Sequence, residues 1–167
     1  MKTIKCRNVI FLVLMLIWMG VIFIFSQQEA DDSTRESHSV GMVVGHVVEP
    51  NFESWTETEQ FKYADRIEHP VRKTAHFIEY TILGVLITGF WYGRDRRSWS
   101  NVLIPYITGT LYAASDETHQ LFITGRSGQV SDVVLDSFGV LSGVLIMVLI
   151  MHLIYTKRIN DNKKSTD

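Results

Sequence analysis

Val9 to Phe25 is an unbroken apolar run of 17 residues without a single charge. Three further apolar stretches follow, each of about 20 residues, the length a helix needs to cross a bilayer. Within hydrocarbon every backbone N–H and C=O must find its partner inside the structure, so runs of this kind fold as helices. A soluble chain of 167 residues rarely carries four of them. The overall apolar share, 46%, is ordinary; its segregation is what constrains the fold. The expected fold class is all-α: a single polytopic membrane domain over residues 1–167. Its four transmembrane helices fall at about 9–25, 72–92, 102–122 and 132–155, with a tail at 156–167. Spans two to four begin or end with ionisable residues, which shortens them on a hydropathy scale.

The first span has the basic start of a signal peptide (Lys2, Lys5, Arg7). Its apolar core is at the long end for one, and its exit, Ser26-Gln27-Gln28-Glu29-Ala30, has Gln where a small residue should precede cleavage. It therefore reads as an uncleaved anchor. Ten of the 16 Lys and Arg residues lie at the N-terminus, in the 94–97 loop (Arg94, Arg96, Arg97) and in the tail (Lys157, Arg158, Lys163, Lys164). By the positive-inside rule all three regions are cytoplasmic. The 26–71 loop holds ten acids against Arg35, Lys62 and Arg66, and is therefore external. Trp91, Tyr92, Trp99 and Tyr155 sit at span borders, where aromatic residues are enriched.

The external loop has a pattern of its own. Val40, Val43, Val44, Val47 and Val48 recur at helical spacing until Pro50. A second piece, about Phe52 to Ile67, can also be helical, with Phe52, Trp55 and Phe61 as its apolar residues. The loop reads as an amphipathic helical hairpin on the outer surface, with a lid over a site below as the alternative. The single cysteine, Cys6, excludes a disulfide framework and a Cys-based zinc site. Basic residues flank the spans instead of forming a separate patch, so no nucleic-acid partner is expected. His38, His46, His69 and His152 read as surface or helix-end residues.

Arg72, Lys73, Glu79, Asp116, Glu117, Arg126, Asp132 and Asp136 remain, with His76 and His119. A charge inside a span costs about 2.5–3.5 kcal/mol at the helix centre, so these groups need pairing, water or a border position. With the orientation above, all of them fall in the outer half. On span two, Arg72, Lys73, His76, Glu79 and Tyr80 share an arc of about 120° at helical spacing. Asp116 and Gln120 are one turn apart, as are Asp132 and Asp136, whose stripe continues through Gly139 and Gly143. Small residues there allow close helix approach. The expectation is a polar cavity under the outer surface, lined by three helices and capped by Arg126.

These residues resemble a known family. Arg72-Lys73-Thr74-Ala75-His76-Phe77-Ile78-Glu79-Tyr80 with Leu83-Gly84 is similar to the R-K-x-A-H-F-x-E-Y-x-x-L-G motif of VanZ-like membrane proteins. Ser115-Asp116-Glu117-Thr118-His119-Gln120 resembles the family's S-D-E-x-x-Q block. Gly125-Arg126-Ser127-Gly128, followed by Asp132, Asp136, Gly139 and Gly143, resembles its last block, and the Phe25-Ser26 exit also fits. Thr124 departs from the pattern, where the family often has Pro. The likeness covers about Ile10 to Ile150. It implies a bacterial plasma-membrane protein; the cytoplasmic placement of both termini follows from the charge bias above. It also implies a setting in the cell envelope or in the response to glycopeptide antibiotics, since the namesake is an accessory resistance protein against teicoplanin.

Three readings of the charged cluster are open. It can be an ion-pair network that fixes helix register. It can be an enzyme site for a lipid-linked envelope component, with His76, Glu79, Asp116, Glu117 and Asp136 in acid–base roles. Arg72, Lys73, Tyr80, His119, Gln120, Arg126 and Asp132 would then bind the ligand, Arg126 and Lys73 suiting an anionic head group. Or the same pocket binds or transports, without chemistry, a membrane lipid, a lipid-linked cell-wall precursor or an acylated glycopeptide. His76, Glu79 and the nearby Asp and Glu residues are hard ligands suited to Mg²⁺, Mn²⁺ or Zn²⁺. No standard metal motif is present, and Lys73 and Arg126 already supply positive charge, so no metal is assigned.

Overall fold

The computed structural model describes residues 6–28, 30–92, 99–126 and 128–164. Lys2, Lys5, Glu29, Arg94, Arg96, Arg97 and Ser127 lie outside the described residues. The described residues are all-α and contain no strand. They form α1 (Cys6–Ser26), α2 (Ala30–Val48), a 3-10 turn (Phe52–Ser54), α3 (Glu57–Trp91), α4 (Ser100–Gln120) and α5 (Val130–Lys164).

Local chemistry sets these boundaries. The residue before a proline disfavours the helical conformation, and α2 stops two residues ahead of Pro50. Asn51 then takes a left-handed φ of 63°. Thr56 opens α3 with a capping box: its hydroxyl accepts from the Glu59 N–H at 3.3 Å, and its own N–H donates to Glu59 Oε2 at 2.8 Å. From there α3 runs 35 residues without a break, through Pro70. At 1.5 Å per residue that is about 52 Å, more than a bilayer core requires.

Here the structure differs from the sequence expectation. The external piece at 52–67 and the span at 72–92 are not separate elements. Residues 57–67 are the first three turns of α3, because polar helix-formers continue the helix where hydropathy falls. Likewise α5 continues past 155 into the expected tail, to Lys164.

The contacts fix helix directions. Arg7 donates to the Tyr92 carbonyl and Trp18 to the Glu79 carbonyl, so α1 and the C-terminal part of α3 run antiparallel. The Tyr112 hydroxyl donates to the Met19 carbonyl and the Ser26 hydroxyl to Asp116, so α1 and α4 run parallel. Between α3 and α5 the pairs are Lys73 with Asp132, Phe77 with Gly139 and Thr81 with Gly143, again parallel. The bundle therefore alternates in direction through α1, α3, α4 and α5. A Cβ built on Gly143 would lie 2.0 Å from the Thr81 carbonyl oxygen, and one on Gly84 would lie 2.3 Å from that of Val140. Only glycine lets α3 and α5 approach this closely.

Ile22, Tyr80, Leu83, Ile87, Ala113, Val140 and Val144 meet in the core, with contributions from all four helices. The outward faces are also apolar: Val13 and Ile17 on α1, Leu103 and Ile107 on α4, Leu145 and Leu149 on α5 are all exposed. Such a belt marks a surface that meets lipid or protein. Two helices, α1 and the Val130–Lys157 part of α5, are long and apolar enough to cross a membrane. Beyond the bundle, α2 folds back on the first turns of α3. A Cβ on Gly41 would touch Ala64, and Phe52 is buried among His46, Trp55 and Tyr63.

Candidate functional site

The polar residues gather at one end of the bundle, where α1 ends, α4 ends and α5 begins. Asp116, in the next-to-last turn of α4, is 4% exposed. Its Oδ2 accepts from the Ser26 hydroxyl at 2.5 Å, the Tyr80 hydroxyl at 3.1 Å and the Gln120 amide at 3.3 Å. One carboxylate oxygen thus ties three helices together, while Oδ1 is buried with no hydrogen-bond partner. Gln120 extends the chain of contacts: its Oε1 accepts from the Arg126 guanidinium at 3.2 Å. Arg126 Nε donates to the Gln28 carbonyl at 3.0 Å, tying the α4–α5 turn to the exit of α1.

That turn is built for the purpose. Gly125 takes φ 75°, a conformation that favours glycine. Glu117 points to the other side of α4 from Asp116, and its Oε1 accepts the Gln129 N–H at 2.7 Å. On the far wall Lys73 pairs with Asp132 at 3.2 Å, and Arg72 lies 3.4 Å from Glu68 and 3.4 Å from His69 Nδ1. Burial pushes the Arg126 guanidinium below its ordinary range, and the nearby Arg72 charge adds to this. Asp116, Glu117 and Glu79 oppose the shift.

Two cavities flank this wall. One, of about 120 Å³, is lined by His69, Lys73, Glu117, Gln120, Gln129 and Asp132 together with Arg72, His76 and Arg126. The other, of about 190 Å³, is lined by Ser26, Gln28, Ser33, Glu36, Ser37 and Glu79, again with Arg72, His76 and Arg126. The three cationic or basic side chains are common to both.

Most of the residues expected from sequence therefore meet here. Arg72, Lys73, His76, Glu117, Gln120, Arg126 and Asp132 line the first cavity, and Glu79 lines the second. Asp116 lies beneath, one hydrogen bond away through Ser26 and Gln120, and Tyr80 donates to Asp116 in turn. Asp136 is 1% exposed, lines neither cavity, and keeps a buried Oδ1 without a partner. His119 is not brought to the cavities. Its ring stacks on Phe23 with centroids 4.9 Å apart, because its position on α4 turns it toward α1. Among the described residues, no three His, Cys, Asp or Glu side chains are placed to hold a metal ion.

Sequence reasoning did not single out Gln28, Ser33, Ser37 or Gln129. A signal for two of them existed. Ser33, Ser37, Gly41 and Gly45 repeat every four residues, which makes a small-residue face on α2. This face lies against α3, and its serine end reaches the second cavity.

A family model matches residues 11–152, a range that reaches every helix of the bundle. The chain belongs to the VanZ/LLP1 family. No curated protein and no solved structure matches it. With its two apolar helices it is a VanZ/LLP1 membrane protein. The family match contains all the residues that line the two cavities.

Proposed function

We propose that this VanZ/LLP1 protein crosses the bacterial plasma membrane four times. Its charged pocket would then open at the outer leaflet and bind the anionic head group of a membrane lipid or lipid-linked envelope precursor. The alternating helix directions support four spans, and the Lys and Arg bias supports cytoplasmic termini. The observation that carries the head-group reading is the wall of Arg72, His76 and Arg126, common to two polar cavities at the end of an apolar-faced bundle. Arg is suited to bidentate contact with phosphate.

A second reading has one observation in its favour. The buried Oδ1 atoms of Asp116 and Asp136 have no partner. Bare carboxylate oxygens near Glu79, Glu117 and His76 suit acid–base chemistry on a bound lipid-linked substrate. One comparison separates the two. Lipids and cell-wall precursors are profiled in cells carrying wild-type protein, Asp116→Ala or Arg126→Ala, with membrane expression checked. A product that disappears in Asp116→Ala supports the enzyme. A lipid that co-purifies unchanged with wild type, and is lost from Arg126→Ala, supports binding alone. The absence of both a lost product and a co-purifying lipid, in a well-expressed set, overturns the head-group reading.

Family membership sets the biological context we propose, tolerance to glycopeptides. Teicoplanin carries an acyl chain that holds it at the membrane surface, and vancomycin carries none. A pocket at the outer leaflet reaches a membrane-held drug or its lipid-anchored target. Expression in a susceptible Gram-positive host should raise tolerance to teicoplanin more than to vancomycin, and Arg126→Ala should remove the difference. Equal shifts, or none, would leave a housekeeping envelope role.

A further inference from the structure

The two cavities differ in chemistry on either side of their common wall. The first pairs its carboxylates with cations or backbone: Lys73 lies 3.2 Å from Asp132, and Glu117 accepts the Gln129 N–H. The second is lined by the hydroxyls of Ser26, Ser33 and Ser37 and the carboxyls of Glu36 and Glu79, with Gln28, Phe25 and Ala75 beside them. Hydroxyl and carboxylate groups lining one small chamber complement a molecule rich in hydroxyls. A ligand hydroxyl can donate to a carboxylate and accept from Ser33 or Ser37, since the Ser26 hydroxyl already donates to Asp116. The basic wall is where a phosphate would sit.

We infer that the site takes a phosphodiester bearing a polyol, with the phosphate on Arg72, His76 and Arg126 and the polyol in the chamber of Ser26, Ser33, Ser37, Glu36 and Glu79. This rests on the head-group reading above and names its ligand class. It also gives α2 a role, since Ser33 and Ser37, each 8% exposed, form the chamber wall opposite α3. The shared chemistry has two sources, a polyol phospholipid or a polyol phosphate outside the membrane.

The test is native mass spectrometry of the full chain in detergent micelles, titrated with phosphatidylglycerol, phosphatidylmethanol or phosphatidylethanolamine. Phosphatidylmethanol carries the same phosphodiester charge as phosphatidylglycerol without its hydroxyls. Wild type should prefer phosphatidylglycerol over phosphatidylmethanol by roughly tenfold, the scale of two lost hydrogen bonds. The double variant Ser33→Ala, Ser37→Ala should bring that ratio toward one, and Arg126→Ala should weaken both lipids. Alanine keeps the small-residue face of α2, and wild-type-like thermal unfolding of the double variant confirms that it folds. Equal binding of the two lipids with retained dependence on Arg126 overturns the polyol inference while the head-group reading stands. Preference for phosphatidylethanolamine overturns it in the same way. Loss of all dependence on Arg126 overturns the head-group reading itself. Soluble glycerophosphoglycerol provides the last arm: competition with phosphatidylglycerol supports the polyol site with a source outside the membrane. Polyol preference confined to the lipid supports the same site with a membrane source.

Discussion

The hydroxyl of Ser26 donates to Asp116 Oδ2 at 2.5 Å, across 90 residues of sequence. It joins the last residue of the apolar α1 to the last turns of α4, and Tyr80 and Gln120 converge on the same oxygen. The buried acid of this site is therefore also a tie between helices.

Ser26→Ala should lower stability by about 1.5–3 kcal/mol, the range for a hydrogen bond to a charged acceptor. Asp116→Ala should cost more, since three buried or half-buried donors lose their acceptor. Thermal unfolding of the purified protein in one detergent measures both. A smaller loss for Asp116→Ala than for Ser26→Ala would contradict the shared-acceptor geometry.

Gly143→Ala should force α3 and α5 apart, because the new methyl would meet the Thr81 carbonyl oxygen at 2.0 Å. Overpacking of this kind costs about 1–3 kcal/mol. Gly20→Ala is the control, with nothing within 4 Å of the added Cβ and a gain in helix propensity of up to about 1 kcal/mol. The melting temperatures should move in opposite directions.

The capping box of α3 should be acid-sensitive. The Thr56 backbone N–H, and then its hydroxyl, hold the Glu59 carboxyl below the ordinary 4.5. A carboxyl lowered in the folded state contributes stability that is present above its unfolded value and lost as pH falls through the folded one. Protection of the Glu59 and Gln60 amides from hydrogen exchange should therefore be full above 4.5 and drop as the pH falls through the lowered value. In Thr56→Ala it should be low at every pH. Equal protection in both proteins at neutral pH would refute the cap.

Topology is checked by labelling single cysteines in a Cys6→Ser background with an impermeant reagent. Thr58→Cys on α3 should label from outside in intact cells, and Lys157→Cys only after permeabilisation. Labelling of Thr58→Cys only after permeabilisation would place the cavities on the cytoplasmic side and remove the outer-leaflet reading.

Much of this protein was legible without coordinates, for a reason particular to membranes. A 17-residue uncharged run such as Val9–Phe25 has essentially one conformation available in hydrocarbon, so composition alone determined α1. The cost of a charge in a span made Arg72, Glu79, Asp116 and Asp136 conspicuous. Helical periodicity placed Asp116 with Gln120, and Asp132 with Gly139 and Gly143. These are properties of single residues and single helices, which the sequence states directly.

Only the tertiary structure decided which of these groups touch. His119 lies three residues after Asp116, less than one helical turn on, yet stacks on Phe23, because helix rotation about its own axis is set by neighbours and not by spacing. Ser33 and Ser37 reach the second cavity through the packing of α2 on α3, where Gly41 faces Ala64. The junction at 67–72 is helical because hydrogen bonding along α3 is indifferent to the fall in hydropathy that marks a membrane border. The pairing of Ser26 with Asp116 depends on the relative translation of α1 and α4. That translation is settled by packing in the core around Ile22, Tyr80 and Ala113, a sum over many contacts that no local pattern encodes.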